Sequence, residues 1–249
     1  MLWNVGHLLS NKVSNLLDFF FPCLCPSCGQ KVERETLFCS DCFSSLKFIT
    51  PPFCYICGRP FTIRDLSSHI CGNCLRKKPF FKAARAVFSY TEPVKKAIIQ
   101  FKFQNNTDLA SLFVKEILFH LKDFIEKIDP TLIIPVPLHL KRLRERGYNQ
   151  CLLLAKKIAK VLDVPCDFKV LKKIKATPPQ VGLSLAERYK NIKGSFAVIK
   201  PDYIKKKRIL LIDDVFTTGS TVNECAKVLM KAGAESVWVI TLARTTDEV

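Results

Sequence analysis

The chain has 249 residues, of which 39 are Lys or Arg and 22 are Asp or Glu, and its formal net charge at pH 7 is +17. Its length fits either one large domain or a small module followed by a domain of roughly 150 residues. The charge predicts attraction to polyanions or acidic surfaces and leaves the fold open.

The beginning of the chain argues against export and against a membrane span. The first residues, MLWNVGHLLSNK, lack the basic start, the long apolar stretch and the cleavage site of a signal peptide. The early apolar run from Leu16 to Leu24 is interrupted by Asp18 and Pro22 and is too short to cross a bilayer. We therefore expect a cytoplasmic protein without a transmembrane segment, in which residues 1–22 form a short amphipathic helix docked on the rest of the protein.

Cysteine pairs dominate the next part of the chain. Eight of the twelve cysteines form four C-x-x-C pairs: Cys25/Cys28, Cys39/Cys42, Cys54/Cys57 and Cys71/Cys74. In a reducing compartment such pairs bind metal, and two C-x-x-C turns supply the four thiolates of a closed, structural zinc site. The sequence therefore predicts a double zinc ribbon with two zinc ions over residues 23–80. Sequential pairing of the turns is the simplest arrangement, and an interleaved cross-brace stays open.

After residue 81 short β-branched runs alternate with longer amphipathic ones, which is typical of an α/β fold with a mostly parallel sheet flanked by helices. This domain is expected to span residues 81–249. The predicted strands are Ala86–Tyr90, Leu132–Val136, Phe168–Leu171, Phe196–Ile199, Arg208–Asp213 and Ser236–Ala243. The predicted helices are Pro93–Phe103, Leu109–Lys127, Tyr148–Leu162, Leu185–Asn191 and Ser220–Ala232.

The segment ILLIDDVFTTGST carries the strongest functional signal. An apolar strand leads to Asp213 and Asp214, and adjacent carboxylates tolerate each other when they face hydroxyl donors or a cation. The following residues, Thr217, Thr218, Gly219, Ser220 and Thr221, offer hydroxyls and backbone N–H groups at the start of a helix, which together can cradle a phosphate. A ribose 5-phosphate satisfies both halves.

An ordinary strand, turn and helix capped by Ser220 or Thr221 is the alternative interpretation of this segment. It explains the cap but not the paired aspartates followed by a cluster of hydroxyls around one glycine. The chain contains neither G-x-x-x-x-G-K-[ST] nor G-x-G-x-x-G, so a nucleoside triphosphatase and a classical dinucleotide site are both poorly supported.

LLIDDVFTTGST resembles the phosphoribosyl pyrophosphate (PRPP) signature of type I phosphoribosyltransferases. Together with the cysteine pairs, IPVPLHLKRLRERGYNQ (134–150) and TPPQVGLSLAERYKNIKGSF (177–196), the chain from about Cys23 to Arg244 resembles the ComF family of competence proteins. The resemblance implies a type I phosphoribosyltransferase fold behind the double zinc ribbon. It also implies a reaction in which a nitrogen nucleophile displaces pyrophosphate from ribose C1, although no acceptor pocket is evident.

The same resemblance assigns roles to particular residues. Asp213 and Asp214 would hold the ribose hydroxyls, and Thr217 to Thr221 the 5-phosphate. The pyrophosphate loop would consist of Val136, Pro137 and Leu138, with cations supplied nearby by Lys141, Arg142, Arg144 and Arg146. Magnesium would arrive chelated by PRPP. Residues 177–191 would form a mobile hood over the site, in which Gln180, Arg188 and Asn191 face the acceptor and Arg188 joins the two aspartates in catalysis.

Positive charge is concentrated between Lys169 and Arg208, where twelve Lys and Arg face only Glu187 and Asp202. A solvated basic face is one interpretation, and binding of nucleic acid is the other. By the ComF resemblance, the four residues Lys205, Lys206, Lys207 and Arg208 are candidates for contacts to single-stranded DNA.

Three hypotheses for the function follow. The chain is a PRPP-dependent transferase, or a PRPP-binding protein that handles single-stranded DNA with the DNA-uptake machinery at the inner face of the cytoplasmic membrane. A purely structural ribbon adaptor, the third, leaves the phosphate motif unexplained.

Overall fold

The computed structural model describes residues 22–61, 67–104, 106–177 and 185–246. The expected amphipathic helix in residues 1–22 lies outside them, apart from Pro22. In chain order the helices are α1 (Ser40–Ser44), α2 (Gly72–Arg76), α3 (Val94–Phe103), α4 (Leu109–His120), α5 (Lys122–Ile128), α6 (Leu140–Arg146), α7 (Gln150–Leu162), α8 (Leu185–Ile192), α9 (Pro201–Ile204) and α10 (Ser220–Lys231). The strands are β1 (Ala84–Ser89), β2 (Leu132–Pro135), β3 (Leu171–Lys173), β4 (Phe196–Val198), β5 (Arg208–Phe216) and β6 (Ser236–Arg244).

A parallel sheet in the order β1-β6-β5-β2 forms the centre of the described chain. In β5, Leu211 pairs with Val239 of β6 on one side and with Ile134 of β2 on the other. Residues 209–212 are fully buried, as expected for an inner parallel strand covered by helices on both faces. The sheet confirms the predicted α/β fold.

Side chains of β5 alternate between two apolar cores. Leu210 and Ile212 pack in the core that contains α3, α4 and α7. Ile209 and Leu211 pack on the other face with Leu229 and its neighbours in α10. The carboxyl ends of the parallel strands consequently meet at one edge of a rigid sheet, which is where open α/β sheets bind ligands.

Two of the predicted strands do not join the parallel sheet. β3 and β4 pair with each other in a separate two-stranded antiparallel sheet, and residues 174–195 connect them. The predicted strand Phe168–Leu171 is also misplaced, because the backbone N–H groups of Lys169 and Val170 donate to Asp167 Oδ1 at 2.6 and 2.8 Å. This local turn delays the strand until Leu171.

Between residues 109 and 146 the helices also differ from the predictions in two places. The single helix expected over Leu109–Lys127 is divided into α4 and α5 at Leu121, whose φ of −114° and ψ of 18° are not helical. Helix α6 was not predicted, because its sequence LKRLRER has too few apolar residues to show a buried face. It begins after His139, whose side chain accepts from the backbone N–H of Lys141, and ends at Gly147 with φ +81°.

The ribbon module covers an edge of the sheet. Near the first cysteine cluster, the N–H of Ile49 donates to Val87 O at 2.9 Å, and the N–H of Ser89 donates to Lys47 O at 2.7 Å. These bonds pair residues 47–49 with β1, which otherwise has an open edge. The module therefore packs as part of the same body as the sheet. Within the described parts of the chain, no helix is both long and apolar enough to cross a membrane.

Candidate functional site

The eight paired cysteines form two four-sulfur clusters. One contains Cys25, Cys28, Cys39 and Cys42, and the other contains Cys54, Cys57, Cys71 and Cys74, with all Sγ atoms of a cluster within 4.8 Å of one another. Four thiolates around one zinc at about 2.3 Å lie about 3.8 Å apart. The observed Cys28–Cys39 and Cys57–Cys71 sulfur distances are 3.5 and 3.8 Å. The donor sets therefore fit zinc, and the pairing is sequential, as the simpler prediction had it.

Proton sharing in the second cluster also fits a cation site. Hydrogen bonds from the Cys57 and Cys74 thiols hold the pKa of Cys54 far below its usual range. The hydrogen bond with Cys54 raises the pKa of Cys57 to about 11, and the pKa of Cys74 is raised further by Cys54 and Cys57 together. A divalent cation would allow all four cysteines to be thiolates.

Asp214 is held by two side chains from helices on one face of the sheet. It is buried, and its Oδ1 lies 2.7 Å from Lys102 Nζ on α3. Its Oδ2 accepts a hydrogen bond from Gln150 Nε2 at the start of α7. Burial alone lowers the pKa of Lys102, but the Asp214 carboxylate outweighs this and raises it. Both carboxylate oxygens are therefore already engaged within the protein.

Asp213 is less buried than Asp214 and has different hydrogen-bond partners. Its side chain is half-buried, and its Oδ1 accepts from the backbone N–H of Asp214 at 2.9 Å and from Cys151 Sγ at 3.4 Å. Burial, followed by the neighbouring Asp214 charge, raises the pKa of Asp213 to about 7. Asp213 is therefore the more accessible of the two aspartates. Both lie inside β5, which continues to Phe216, and not at its end as predicted.

The turn after β5 has the features expected of a phosphate-binding loop. Gly219 has φ +76° and immediately precedes α10, so the turn uses a backbone conformation that favours glycine. The hydroxyls of Thr218 and Ser220 lie 2.8 Å apart, and Thr218 Oγ1 also accepts from the Ser220 N–H at 3.3 Å. Thr217 and Thr221 flank this arrangement and are half-buried. Hydroxyls and the first N–H groups of a twelve-residue helix thus converge, which suits a phosphate.

The segment predicted to bind pyrophosphate lies beside the aspartates. Val136 N–H donates to Ile212 O at 2.9 Å, and Asn149 Nδ2 donates to Val136 O at 3.0 Å. The half-buried Pro137 and Leu138 follow directly, and α6 then carries Lys141 and Arg142. The part of the predicted site that follows β2 therefore lies next to the part in β5.

The other two predicted cations of this segment, Arg144 and Arg146, differ in their contacts. Arg146 packs its guanidinium over the Phe103 ring at 4.7 Å and donates to Gln150 Oε1 at 2.5 Å. It therefore supports the residue that holds Asp214. Arg144 is exposed on α6.

Only part of the predicted hood can be placed. Gln180 and the side chain of Arg188 lie outside the described residues. Helix α8 lies beside α10, and half-buried Asn191 is in its last turn, with its carbonyl oxygen 3.5 Å from Ser195 Oγ. The roles of Gln180, Arg188 and Asn191 remain predictions.

The basic cluster of residues 205–208 lies at the opposite end of β5 from Asp213. Lys205 pairs with Asp202 at 2.7 Å, and Arg208 pairs with Asp129 at 2.6 Å. Two of these four cations therefore already have a carboxylate partner. The other two, Lys206 and Lys207, lie between them in the turn that precedes the strand.

The sequence did not point to Lys102 or assign a role to Gln150. Lys102 lies in the last turn of α3, far from Asp214 in the sequence, and no local pattern sets it apart from the many other lysines. Gln150 closes the GYNQ segment that carried part of the family resemblance. The family resemblance of this segment could have indicated a role for Gln150.

Comparisons with known proteins identify a family for the ribbon part and a family for the α/β part of the chain. The double zinc ribbon domain family matches residues 16–75, and the phosphoribosyl transferase domain family matches residues 149–248. Competence protein F of Haemophilus influenzae is 35% identical over 234 residues, which are 92% of this chain and 100% of that protein. This chain belongs to the ComF family.

Other relatives also match over most of both chains. The DNA utilization protein YhgH of Escherichia coli K12 is 34% identical over 83% of this chain and 90% of its own length. Competence protein ComFC of Bacillus subtilis is 28% identical over 95% of this chain and 100% of its own length. Among solved structures, a purine phosphoribosyltransferase from Pyrococcus horikoshii aligns with 54% of this chain and 85% of its own, at 19% identity and a TM-score of 0.35.

Proposed function

We propose that this protein binds PRPP at the carboxyl edge of its parallel sheet and acts in DNA uptake by handling incoming single-stranded DNA on the cytoplasmic side of the membrane. The observation that carries the first part is the juxtaposition of Asp213, the hydroxyl-lined turn before α10 and the segment after β2. The names of the relatives, competence protein and DNA utilization protein, support the second part.

Each part of PRPP has a matching group at this edge. Asp213 is accessible enough to accept hydrogen bonds from ribose hydroxyls, whereas Asp214 is committed to Lys102 and Gln150. The turn from Thr217 to Thr221 suits the 5-phosphate. Residues 136–138 with Lys141 and Arg142 suit the pyrophosphate, for which arginine offers bidentate contacts. Magnesium would neutralise the pyrophosphate oxygens to which it is chelated.

Calorimetric titration with PRPP and magnesium tests the first part. At about pH 8, where Asp213 is ionised, Asp213→Asn should weaken PRPP binding by at least about tenfold, because the variant cannot form a charge-assisted hydrogen bond to ribose. Asp123→Asn, which removes an exposed carboxylate of α5, is the matched control and should leave the affinity unchanged. Equal PRPP affinities for the wild type and Asp213→Asn would refute the ribose assignment.

Salt-dependent binding of single-stranded DNA tests the second part. The variant Lys206→Gln with Lys207→Gln leaves the Lys205–Asp202 and Arg208–Asp129 pairs intact. If both lysines bind phosphates, the slope of log affinity against log salt should flatten by about 0.7 for each phosphate that the variant no longer neutralises. The pair Lys95→Gln and Lys96→Gln, two exposed lysines of α3, removes the same charge elsewhere. If Lys206→Gln with Lys207→Gln keeps the wild-type slope, these two lysines do not contact DNA and belong to a solvated basic face.

Phosphoribosyl transfer to a nitrogen acceptor is the second candidate function. The adjacent aspartates and pyrophosphate segment favour it, because displacement at ribose C1 chiefly requires neutralised charge on the leaving pyrophosphate and exclusion of water. Release of pyrophosphate from PRPP in the presence of nucleobases or simple amines measures this activity. If PRPP binds but no acceptor that is tried causes release of pyrophosphate, the transferase function is contradicted and only PRPP binding remains supported.

A further inference from the structure

An exposed aromatic side chain lies between the end of α7 and the start of β3. Phe168 is 42% exposed, and two ammonium groups lie near its ring, Lys156 Nζ at 5.4 Å and Lys169 Nζ at 5.8 Å from the ring centre. Both lysines are exposed as well. Proteins that bind single strands combine such rings, on which bases stack, with cations that bind the phosphate backbone. The three side chains therefore provide both kinds of contact at one place.

The lysines beside this ring have no ion-pair partner among the described residues. None of the ion pairs found there includes Lys156 or Lys169. The nearby Asp167 uses its Oδ1 to accept two backbone N–H groups, at 2.6 and 2.8 Å. Residues 156–175 as a whole contain seven lysines and two aspartates. The positive charge at this surface is therefore available to attract a polyanion.

The basic cluster of residues 205–208, which the sequence predicts to contact DNA, differs in this respect. Half of the cluster, Lys205 and Arg208, already holds a carboxylate, at 2.7 and 2.6 Å. A phosphate would have to displace that carboxylate, which cancels part of the gain from releasing counterions. The lysines beside Phe168 do not incur this loss, so the structure favours them as phosphate contacts.

A stacked base can replace the two ammonium groups at the ring. Contact between a cation and an exposed aromatic ring shifts an equilibrium by only about two- to fivefold. Stacking of one base on an aromatic side chain changes affinity by about five- to 150-fold. Because lysine side chains are long and flexible, Lys156 and Lys169 can leave the ring and still reach a phosphate of the same strand. The exchange therefore favours the bound base.

Further lysines extend this surface along α7 and β3. Lys160 comes four residues after Lys156 on the helix, hence on the same face, and it is exposed. In β3, Leu171 is buried and Lys172 is exposed, so Lys172 points away from the core. We call the following five residues the Phe168 surface: Lys156, Lys160, Phe168, Lys169 and Lys172. It includes none of the groups proposed above to bind PRPP.

We propose that a single strand of DNA lies across the Phe168 surface, with one base stacked on Phe168 and its phosphates bound by the surrounding lysines. The inference rests on the DNA-handling part of the function proposed above and names the surface that carries it. Phosphate contacts supply affinity without regard to sequence. Stacking adds a preference for single strands, since the paired and stacked bases of a duplex do not reach the ring.

Fluorescence anisotropy with an oligothymidylate of about 15 nucleotides tests the stacking contact. Phe168→Leu keeps an apolar side chain but removes the ring, so the affinity should fall by about five- to 150-fold while the slope of log affinity against log salt keeps its wild-type value. Phe119→Leu is the matched control, since Phe119 on α4 is 78% exposed, and it should bind as wild type does. An abasic strand, which carries the same phosphates without bases, should bind wild type and Phe168→Leu equally.

The double variant Lys156→Gln with Lys169→Gln tests the phosphate contacts. If each lysine binds one phosphate, the salt slope should flatten by about 1.4 in total. Lys95→Gln with Lys96→Gln removes the same charge from exposed positions of α3 and should keep the wild-type slope. Thermal melting and PRPP affinity are measured for every variant, and a PRPP affinity within about twofold of wild type shows that the fold is kept.

The possible outcomes separate this surface from the function on which it rests. Wild-type affinity of Phe168→Leu for oligothymidylate, or an equal weakening for the abasic strand, would overturn the stacking contact and leave DNA binding itself supported. An unchanged slope in Lys156→Gln with Lys169→Gln would overturn the phosphate contacts in the same way. Absence of oligothymidylate binding by the wild type at low salt would refute the DNA part of the proposed function and this surface with it. If Phe168→Leu weakens binding to phosphatidylglycerol vesicles and not to oligothymidylate, the surface contacts lipid and the proposal is overturned.

Discussion

Replacing Lys102 with methionine tests whether an ion pair holds Asp214 in place. The side chains of Lys102 and Asp214 keep only 19% and 8% of their exposure, so solvent cannot replace the missing cation effectively. Removing one partner of a buried pair costs about 3–5 kcal/mol, because the other charge is left uncompensated. Gln150 still donates to Asp214 in the variant, so we expect a loss near the lower end of that range.

Thermal unfolding of the full chain at neutral pH, with zinc content measured alongside, provides the assay. A loss of 1 kcal/mol lowers the Tm of a chain of this size by about 2–4 °C. Lys95→Met on the same helix replaces an exposed lysine and should change stability by less than about 0.5 kcal/mol. The double variant Lys102→Met with Asp214→Asn should recover much of the loss, since the orphaned charge is gone. A Lys102→Met protein as stable as wild type, or one not rescued by Asp214→Asn, would refute the reasoning.

Three further predictions concern the clusters, Asp213 and the turn. Elemental analysis should find two zinc ions per chain, and Cys28→Ser and Cys74→Ser should each lose one, because each cysteine belongs to a different cluster. Since the pKa of Asp213 rises from 3.8 to about 7 on folding, its ionisation costs stability progressively across that interval. Asp213→Asn should therefore raise the urea midpoint more at about pH 8 than at about pH 4, and an equal effect at both would contradict the shift. Gly219→Ala should lower the Tm, corresponding to about 1–3 kcal/mol, because the residue has φ +76° and its Cβ would overlap the Phe216 ring. An unchanged Tm would show that the turn relaxes.

The parts of the fold that could be predicted are those with a local pattern. The apolar run 209–212 indicated a buried strand, and the apolar periodicity of Tyr148–Leu162 indicated the helix α7, in which the structure buries Leu154 and Ile158. C-x-x-C spacing predicted both metal clusters. In each case the information lies within a few consecutive residues, so tertiary contacts did not have to be known.

Features decided by distant contacts could not be predicted in the same way. Strand β3 pairs with β4 and not with the sheet, and nothing in three consecutive residues of either strand indicates its partner. The different surroundings of Asp213 and Asp214 depend on Lys102, which comes from a helix distant in the sequence. The sequence predicts that both carboxylates hold the ligand, and it does not indicate that Asp214 is paired with Lys102 and Gln150.

The zinc ribbons and the predicted PRPP site belong to one packed structure. Gly58, next to the ligand Cys57, has φ +69°, and a Cβ there would lie 2.5 Å from Ala84 O at the start of β1. Arg244, the last residue of β6, donates to Cys57 O. The N–H of Phe80 donates to Asn223 Oδ1, in the first turn of α10, at 2.8 Å. The second ribbon thus contacts both the edge of the sheet and α10, the helix that follows the turn 217–219. Because the ribbon needs its metal to hold four thiolates together, loss of zinc should loosen this turn as well as the ribbon. Zinc that is structural for the ribbon is therefore also expected to support the predicted PRPP site.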